Sequence, residues 1–192
     1  MEAFLVSTGL VALAEIGDKT QLLAFILAAR FKKPLPIILG ILAATVINHG
    51  LAGALGAWIT SAISPEVLRW VLGASFIGMA IWTMIPDKIE EEETQVAKRF
   101  GVFGATFITF FLAEMGDKTQ IATVAMAAHY AAPLMVVIGT TLGMLIADVP
   151  AVIAGDKLAN KIPMKLVHSI AAAVFAVLGV ATLLGAGARF GL

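Results

Sequence analysis

No cysteine occurs among the 192 residues, which removes disulfides, thiolate metal ligands and cysteine nucleophiles together. Any metal held by this chain is held by oxygen or imidazole. Charge is nearly as scarce: 14% of residues are Asp, Glu, Lys or Arg against 60% apolar, and mean hydropathy is +0.97. A water-soluble domain of this size has too little interior to bury so much apolar surface, so the class is membrane. Formal net charge is zero, and nothing supports binding to nucleic acid. The run that follows Met1-Glu2-Ala3-Phe4 has no basic segment ahead of it and continues past a carboxylate to Ala29, so it reads as a first span and not as a cleaved signal peptide.

At about 20 apolar residues per span, six transmembrane helices are expected near 3 to 29, 35 to 60, 66 to 86, 101 to 128, 134 to 155 and 165 to 187. Lys32-Lys33-Pro34-Leu35-Pro36, Ser64-Pro65-Glu66 and Ala132-Pro133 punctuate them, because proline starts a helix more readily than it continues one. The long connection is 87 to 100, which carries Glu90-Glu91-Glu92-Glu93 and reads as a solvated acidic linker. Connections 1-2, 3-4 and 5-6 hold nine of the basic residues (Arg30, Lys32, Lys33, Lys88, Lys98, Arg99, Lys157, Lys161 and Lys165), and the other side holds Arg69 and Arg189. The positive-inside rule then puts the nine and the linker in the cytoplasm and both chain ends outside.

Glu15-Ile16-Gly17-Asp18-Lys19-Thr20-Gln21 recurs as Glu114-Met115-Gly116-Asp117-Lys118-Thr119-Gln120, an offset of 99 residues with six of seven positions identical. Pro34, Leu35 and Gly40 match Pro133, Leu134 and Gly139 at the same offset. The chain therefore divides into a three-helix repeat at 1–86, the linker at 87–100 and a second three-helix repeat at 101–192. Three is odd, so the second copy enters the bilayer from the opposite face. The expected fold is an all-α membrane protein of two inverted three-helix repeats, whose equivalent motifs meet near mid-bilayer.

A carboxylate inside a span costs on the order of 3 kcal/mol, and the heptads carry four of them. On a continuous helix Glu15 and Asp18 share a face, with Lys19 close by, and the second copy repeats the pattern. Simple i,i+4 neutralisation of Glu15 by Lys19 and of Glu114 by Lys118 is the plainer reading. It leaves Asp18, Asp117, both glycines and both Thr-Gln pairs unexplained. Four acids less two lysines leave two negative charges, which one divalent cation or two protons would cancel. Gly17 and Gly116 weaken the helix, and local unwinding there would free carbonyl oxygens. Thr20, Gln21, Thr119 and Gln120 add neutral oxygens to those of Glu15, Asp18, Glu114 and Asp117. An all-oxygen set suits a hard ion, Ca²⁺, Mn²⁺ or Mg²⁺, over Zn²⁺ or Cu⁺. Such carboxylates must shed protons to take up metal, so exchange of metal for protons lies in the same groups.

The doubled Glu-x-Gly-Asp-Lys-Thr, in a six-helix chain with a central acidic loop, resembles the family of small cation transporters that includes the Golgi manganese and calcium transporters of eukaryotes and their bacterial and chloroplast relatives. The resemblance covers essentially the whole chain. It implies Mn²⁺ or Ca²⁺ transport in exchange for protons, with Glu15, Asp18, Glu114 and Asp117 as the motif acids, and no resident cofactor. A bacterial-type member is implied to export Mn²⁺ from the inner membrane. Two rivals remain. A passive cation channel can also use a ring of acids; an intramembrane lipid-phosphate phosphatase would want an arginine or a nucleophile beside them. No arginine falls inside a span near either motif, and Ser7, Ser61, Ser64, Ser75 and Ser169 are not beside them. A homodimer is compatible with the sequence but not required, since one chain supplies both halves.

Outside the heptads, Asn48 and His49 fall mid-way along the second span, and Asp148, the repeat-equivalent of His49, along the fifth. They suggest proton passage or support of the ligands, with a helix-helix hydrogen bond as the alternative for His49. Pro150 leaves the Ile146 carbonyl without its usual helical partner. Gly139 and Gly143 suggest close helix packing, and Gly155-Asp156-Lys157 lacks the motif glutamate. His129 and His168 read as solvated interfacial residues, and Glu90 to Glu93 as a solvated loop or a collector of cytoplasmic metal.

Overall fold

The computed structural model describes residues 1–85, 97–154 and 164–185, with side chains left out at 97–99, 154, 164, 165, 167 and 168. Glu90–Glu93, Gly155-Asp156-Lys157, Lys88, Lys161 and Arg189, and the side chains of Lys98, Arg99, Lys165 and His168, lie outside the described residues. The described residues are all-helical: α1 Glu2–Glu15, α2 Lys19–Phe31, α3 Pro34–Ala62, α4 Pro65–Thr83, α5 Ala97–Glu114, α6 Lys118–Tyr130, α7 Pro133–Ala154 and α8 Met164–Leu183.

Proline punctuation works as expected. Pro34 and Pro65 open α3 and α4 within the first turn, where a missing N–H costs nothing. The turn into α3 passes through Lys32 (φ 52°), and the equivalent turn into α7 passes through Ala131 (φ 49°), 99 residues on. The expectation of unbroken helices at 3 to 29 and 101 to 128 is corrected. Each is two helices, parted at Ile16–Asp18 and at Met115–Asp117, with Gly17 at φ 85° and Gly116 at φ 77°. Positive φ is cheap for glycine and strained for other residues, so the heptads themselves carry the break. Between Phe100–Glu114 and Lys118–Tyr130 the axis bends by 69°. By length and composition, two described helices, Pro34–Ala62 and Pro133–Ile153, are each long and apolar enough to cross a membrane, and the bent pair makes a third if taken as one span. Large apolar side chains such as Leu51, Trp58, Ile81, Ile146 and Val177 cover the outside, the arrangement suited to lipid contact and a liability in water.

Packing runs mainly between the halves. α1 lies on α7, α5 on α3, α6 on α3 and α4 on α8. The first two pairs are equivalent at the 99-residue offset down to single atoms. A Cβ on Gly40 would meet the Phe103 carbonyl oxygen at 3.0 Å and Thr106 Cβ at 2.7 Å; one on Gly139 would meet the Phe4 carbonyl oxygen at 2.7 Å and the Ser7 hydroxyl. Gly143 is equally tight, with Thr8 O at 2.6 Å from the added carbon. These small residues bring backbones together where no hydrophobic driving force separates helix from lipid. Gly139→Ala should therefore lower stability by about 1–3 kcal/mol, the usual cost of overpacking, read as an earlier thermal unfolding transition of the detergent-purified protein. Buried Leu10, Val11, Phe110, Met126 and Met144 belong to one apolar core.

Candidate metal centre

The two heptads share a backbone turn and a glutamine brace, and the first adds a capping carboxylate. α1 ends on Glu15, the chain turns at Gly17, and Asp18 caps α2, its Oδ1 accepting the Lys19 N–H at 2.8 Å. A carboxylate at a helix N-terminus satisfies orphan donors and meets the positive end of the helix dipole. Asp18 N donates to Glu15 O at 3.0 Å, and Asp117 N to Glu114 O at 3.1 Å. The glutamines brace the break from the far side: the Gly17 N–H donates to Gln21 Oε1 at 2.9 Å and the Gly116 N–H to Gln120 Oε1 at 2.7 Å. Gln21 Nε2 also donates to Ala147 O at 2.9 Å, tying the first heptad to α7.

The expected single-face arrangement of Glu15 and Asp18 is thus corrected, because they sit on two helices with a reversal of backbone hand between them. Convergence comes from tertiary packing. One oxygen each of Glu15, Glu114 and Asp117 lie within 4.8 Å of one another, and all three residues are at most 3% exposed. Asp18, also buried and near enough to Glu15 and Glu114 to interact with both electrostatically, is not one of this group of three: its Oδ1 is 3.2 Å from Nζ of Lys118, which is itself 1% exposed. This ion pair runs across the halves and not within a heptad, as the plainer reading of the sequence had it. Thr20 Oγ1 donates to Glu15 Oε2 at 2.5 Å, whereas the buried hydroxyl of Thr119 makes no hydrogen bond among the described residues.

Three residues named outside the heptads join the site. Asp148 is fully buried, makes no hydrogen bond among the described residues, and lies near enough to Glu15 and Glu114 to interact with both electrostatically. His49 Nε2 stands 3.7 Å from Glu114 Oε2, and its ring makes no hydrogen bond there, so the helix-helix bond expected as its alternative is not formed. Asn48 Nδ2 donates to Phe111 O at 3.1 Å, while its Oδ1 makes no hydrogen bond among the described residues. Unbonded buried hydroxyls of Thr45 and Thr141, which no sequence motif singles out, are on the same two helices. The count of charge changes accordingly: five buried acids face one buried lysine, since Lys19 is only half-buried. His129, expected to be solvated, instead packs edge-on against Phe76 and Tyr130, with centroids at 5.8 and 4.8 Å.

An unbonded buried polar atom costs about 1–3 kcal/mol, and more when charged. So dense a group persists where something else repays the loss. The donor set is oxygen with one imidazole, which suits a hard divalent cation.

The sequence profile of the family "Divalent cation/proton antiporter GDT1" matches residues 3–91 and again residues 102–189. A Vibrio cholerae serotype O1 protein named "Putative manganese exporter" is 50% identical over 183 residues, covering 95% of this chain and 90% of that one. "GDT1-like protein 4" of Oryza sativa subsp. indica is 32% identical over 200 residues, covering 91% and 70%. "Protein PAM71-homolog, chloroplastic" of Arabidopsis thaliana is 28% identical over 214 residues, covering 95% and 59%. No solved structure matches the chain.

Proposed function

Because the chain belongs to the GDT1 family of divalent cation/proton antiporters, which are transporters and not enzymes, we propose that it exports Mn²⁺, with Ca²⁺ as the other candidate, in exchange for protons. The observation that carries this is the approach of Glu15, Glu114 and Asp117 to within 4.8 Å, in a pocket closed to water, from heptads 99 residues apart. Asp18 is the fourth acid of the ligand set. Thr20 and Thr119 add hydroxyl oxygens, and Gln21 and Gln120, while bracing the breaks, keep a second lone pair on the amide oxygen for the ion.

The architecture that fits this function is six spans. α1 with α2 and α5 with α6 each count as one broken span, and α3, α4, α7 and α8 as the others. Residues 1–86 and 101–192 are then inverted repeats joined by a cytoplasmic linker at 87–100, with both termini outside the cytoplasmic membrane. Discontinuous helices at mid-membrane are the usual place for an ion site in transporters of this design, because unwound backbone is tolerated only where it lines a cavity.

Export follows a simple balance. Carboxylates bind a divalent ion only when ionised, so loading metal from one side releases protons there, and protons returning from the other side discharge it. A channel would hold its acids in a wetted pore; here Glu15, Asp18, Glu114 and Asp117 are at most 3% exposed, which favours alternate opening. The test is flux through purified protein in liposomes, comparing Mn²⁺, Ca²⁺ and Mg²⁺ across imposed pH gradients. The expected result is uphill Mn²⁺ movement driven by the proton gradient. Mn²⁺ flux indifferent to that gradient would sink the antiport reading and leave the channel.

A further inference from the structure

The two heptads have the same lysine, threonine and glutamine, yet the fold uses them differently. Lys118 is buried, with Nζ 3.2 Å from Asp18 Oδ1 of the other half, whereas Lys19 is half-buried. Thr20 is bonded to Glu15, whereas the hydroxyl of Thr119 has no such bond. The group of acids within 4.8 Å contains Glu15, Glu114 and Asp117, and the heptad acid not among them is the one that Lys118 holds. The heptads are identical at these positions, so nothing in the motif itself prevents the mirror arrangement, with Lys19 on Asp117 and Lys118 withdrawn.

Resting on the function above, we propose that Lys118 is a tethered counter-cation that competes with the transported metal for Asp18, and that Lys19 takes the same place against Asp117 when the transporter faces the other way. An ammonium is a unit charge on a flexible four-carbon stem, compact enough to stand where an ion would and able to leave without breaking a bidentate geometry. While it holds Asp18, the pocket offers three of the four heptad acids beside Asp148. When it withdraws, the fourth heptad acid joins them and the site reaches its full charge. Carrying one lysine in each half makes metal release as well as uptake a displacement: the incoming ammonium pulls one carboxylate away and leaves the ion under-coordinated. The lysines are positioning residues in this scheme and do not touch the metal.

The test is Mn²⁺ binding to the full-length detergent-purified protein by calorimetry, alongside Mn²⁺ flux in liposomes. Lys118→Met keeps the stem and removes the charge. It should bind Mn²⁺ about tenfold more tightly, equivalent to about 1.4 kcal/mol, while turnover falls at least as much because release is no longer assisted. Lys118→Arg should stay within about threefold of the unaltered protein in affinity. Affinity unchanged or weakened in a folded Lys118→Met protein would overturn the inference. If that variant is not recovered folded, the unaltered protein decides through the rate at which a water-soluble acylating reagent modifies each lysine, read by mass spectrometry. Saturating Mn²⁺ should speed modification of Lys118 at least fivefold, and an unchanged rate overturns the proposal. Failure of the function itself looks different: the unaltered protein would bind no Mn²⁺, or Glu15→Gln would bind it as well as the unaltered protein does.

Discussion

Glu15→Gln and Asp117→Asn should each reduce proton-driven Mn²⁺ transport by at least a hundredfold while leaving the protein folded in the membrane. The substitutions are isosteric, so packing of the fully buried Glu15 and nearly buried Asp117 is kept. What is lost is one negative charge from a site where dielectric screening is weak. Removing one member of a buried, bonded charge pair costs 2 to more than 5 kcal/mol in comparable settings, and about 3 kcal/mol already corresponds to a hundredfold. Glu15→Gln should keep the Thr20 contact, because an amide oxygen still accepts from the hydroxyl that now reaches Oε2 at 2.5 Å. A loss of transport in that variant therefore reports the charge and not a collapsed helix break. Flux is the first measurement and size-exclusion behaviour in detergent the second. Wild-type flux from either variant would remove these residues from the site.

Much of this was written in the residues. The heptads announced themselves by repetition, and Gly17 and Gly116 marked where a helix would have to yield; both take positive φ. Gly139 was legible as a packing residue, and the structure gives it Phe4 and Ser7 as neighbours. The errors share a cause. Treating each heptad as continuous helix put Glu15, Asp18 and Lys19 on one face, and only on that footing are ion pairs within each copy an alternative to weigh. Once the chain turns at glycine, i,i+3 and i,i+4 relations lapse, and partners are set by what lies opposite. Lys118 finds Asp18 that way. Local spacing also has no means of telling Lys19 from Lys118, since their neighbours in sequence are the same; the difference arises from how the halves sit. Asp148 and His49 were visible as costly residues at equivalent positions, but only the crossing of α1 on α7 and α5 on α3 brings them beside the glutamates.

Asp148→Asn should make the protein more stable and less active. Its two carboxylate oxygens make no hydrogen bond among the described residues, and it lies near Glu15 and Glu114 in the same buried cluster, where like charges repel. An amide of the same shape removes the repulsion and leaves a weaker unmet need. Burial of unmatched charge costs several kcal/mol and of a neutral polar atom about 1–3 kcal/mol, so a gain of about 1–2 kcal/mol is expected. For a chain of this length that is about 2–8 °C in Tm. Transport should meanwhile fall at least tenfold, with the larger loss under a proton gradient, since an acid beside two proposed ligands is placed to pass protons or to share the ion. The pairing of outcomes is what identifies the residue. A structural acid would lose stability on neutralisation, and an idle one would change neither quantity. A site residue retained at the expense of the fold does the opposite of both, the signature of stability yielded to function. Differential scanning fluorimetry and vesicle flux on the same preparation measure the two sides, and a lower Tm with unchanged flux would return Asp148 to a structural role.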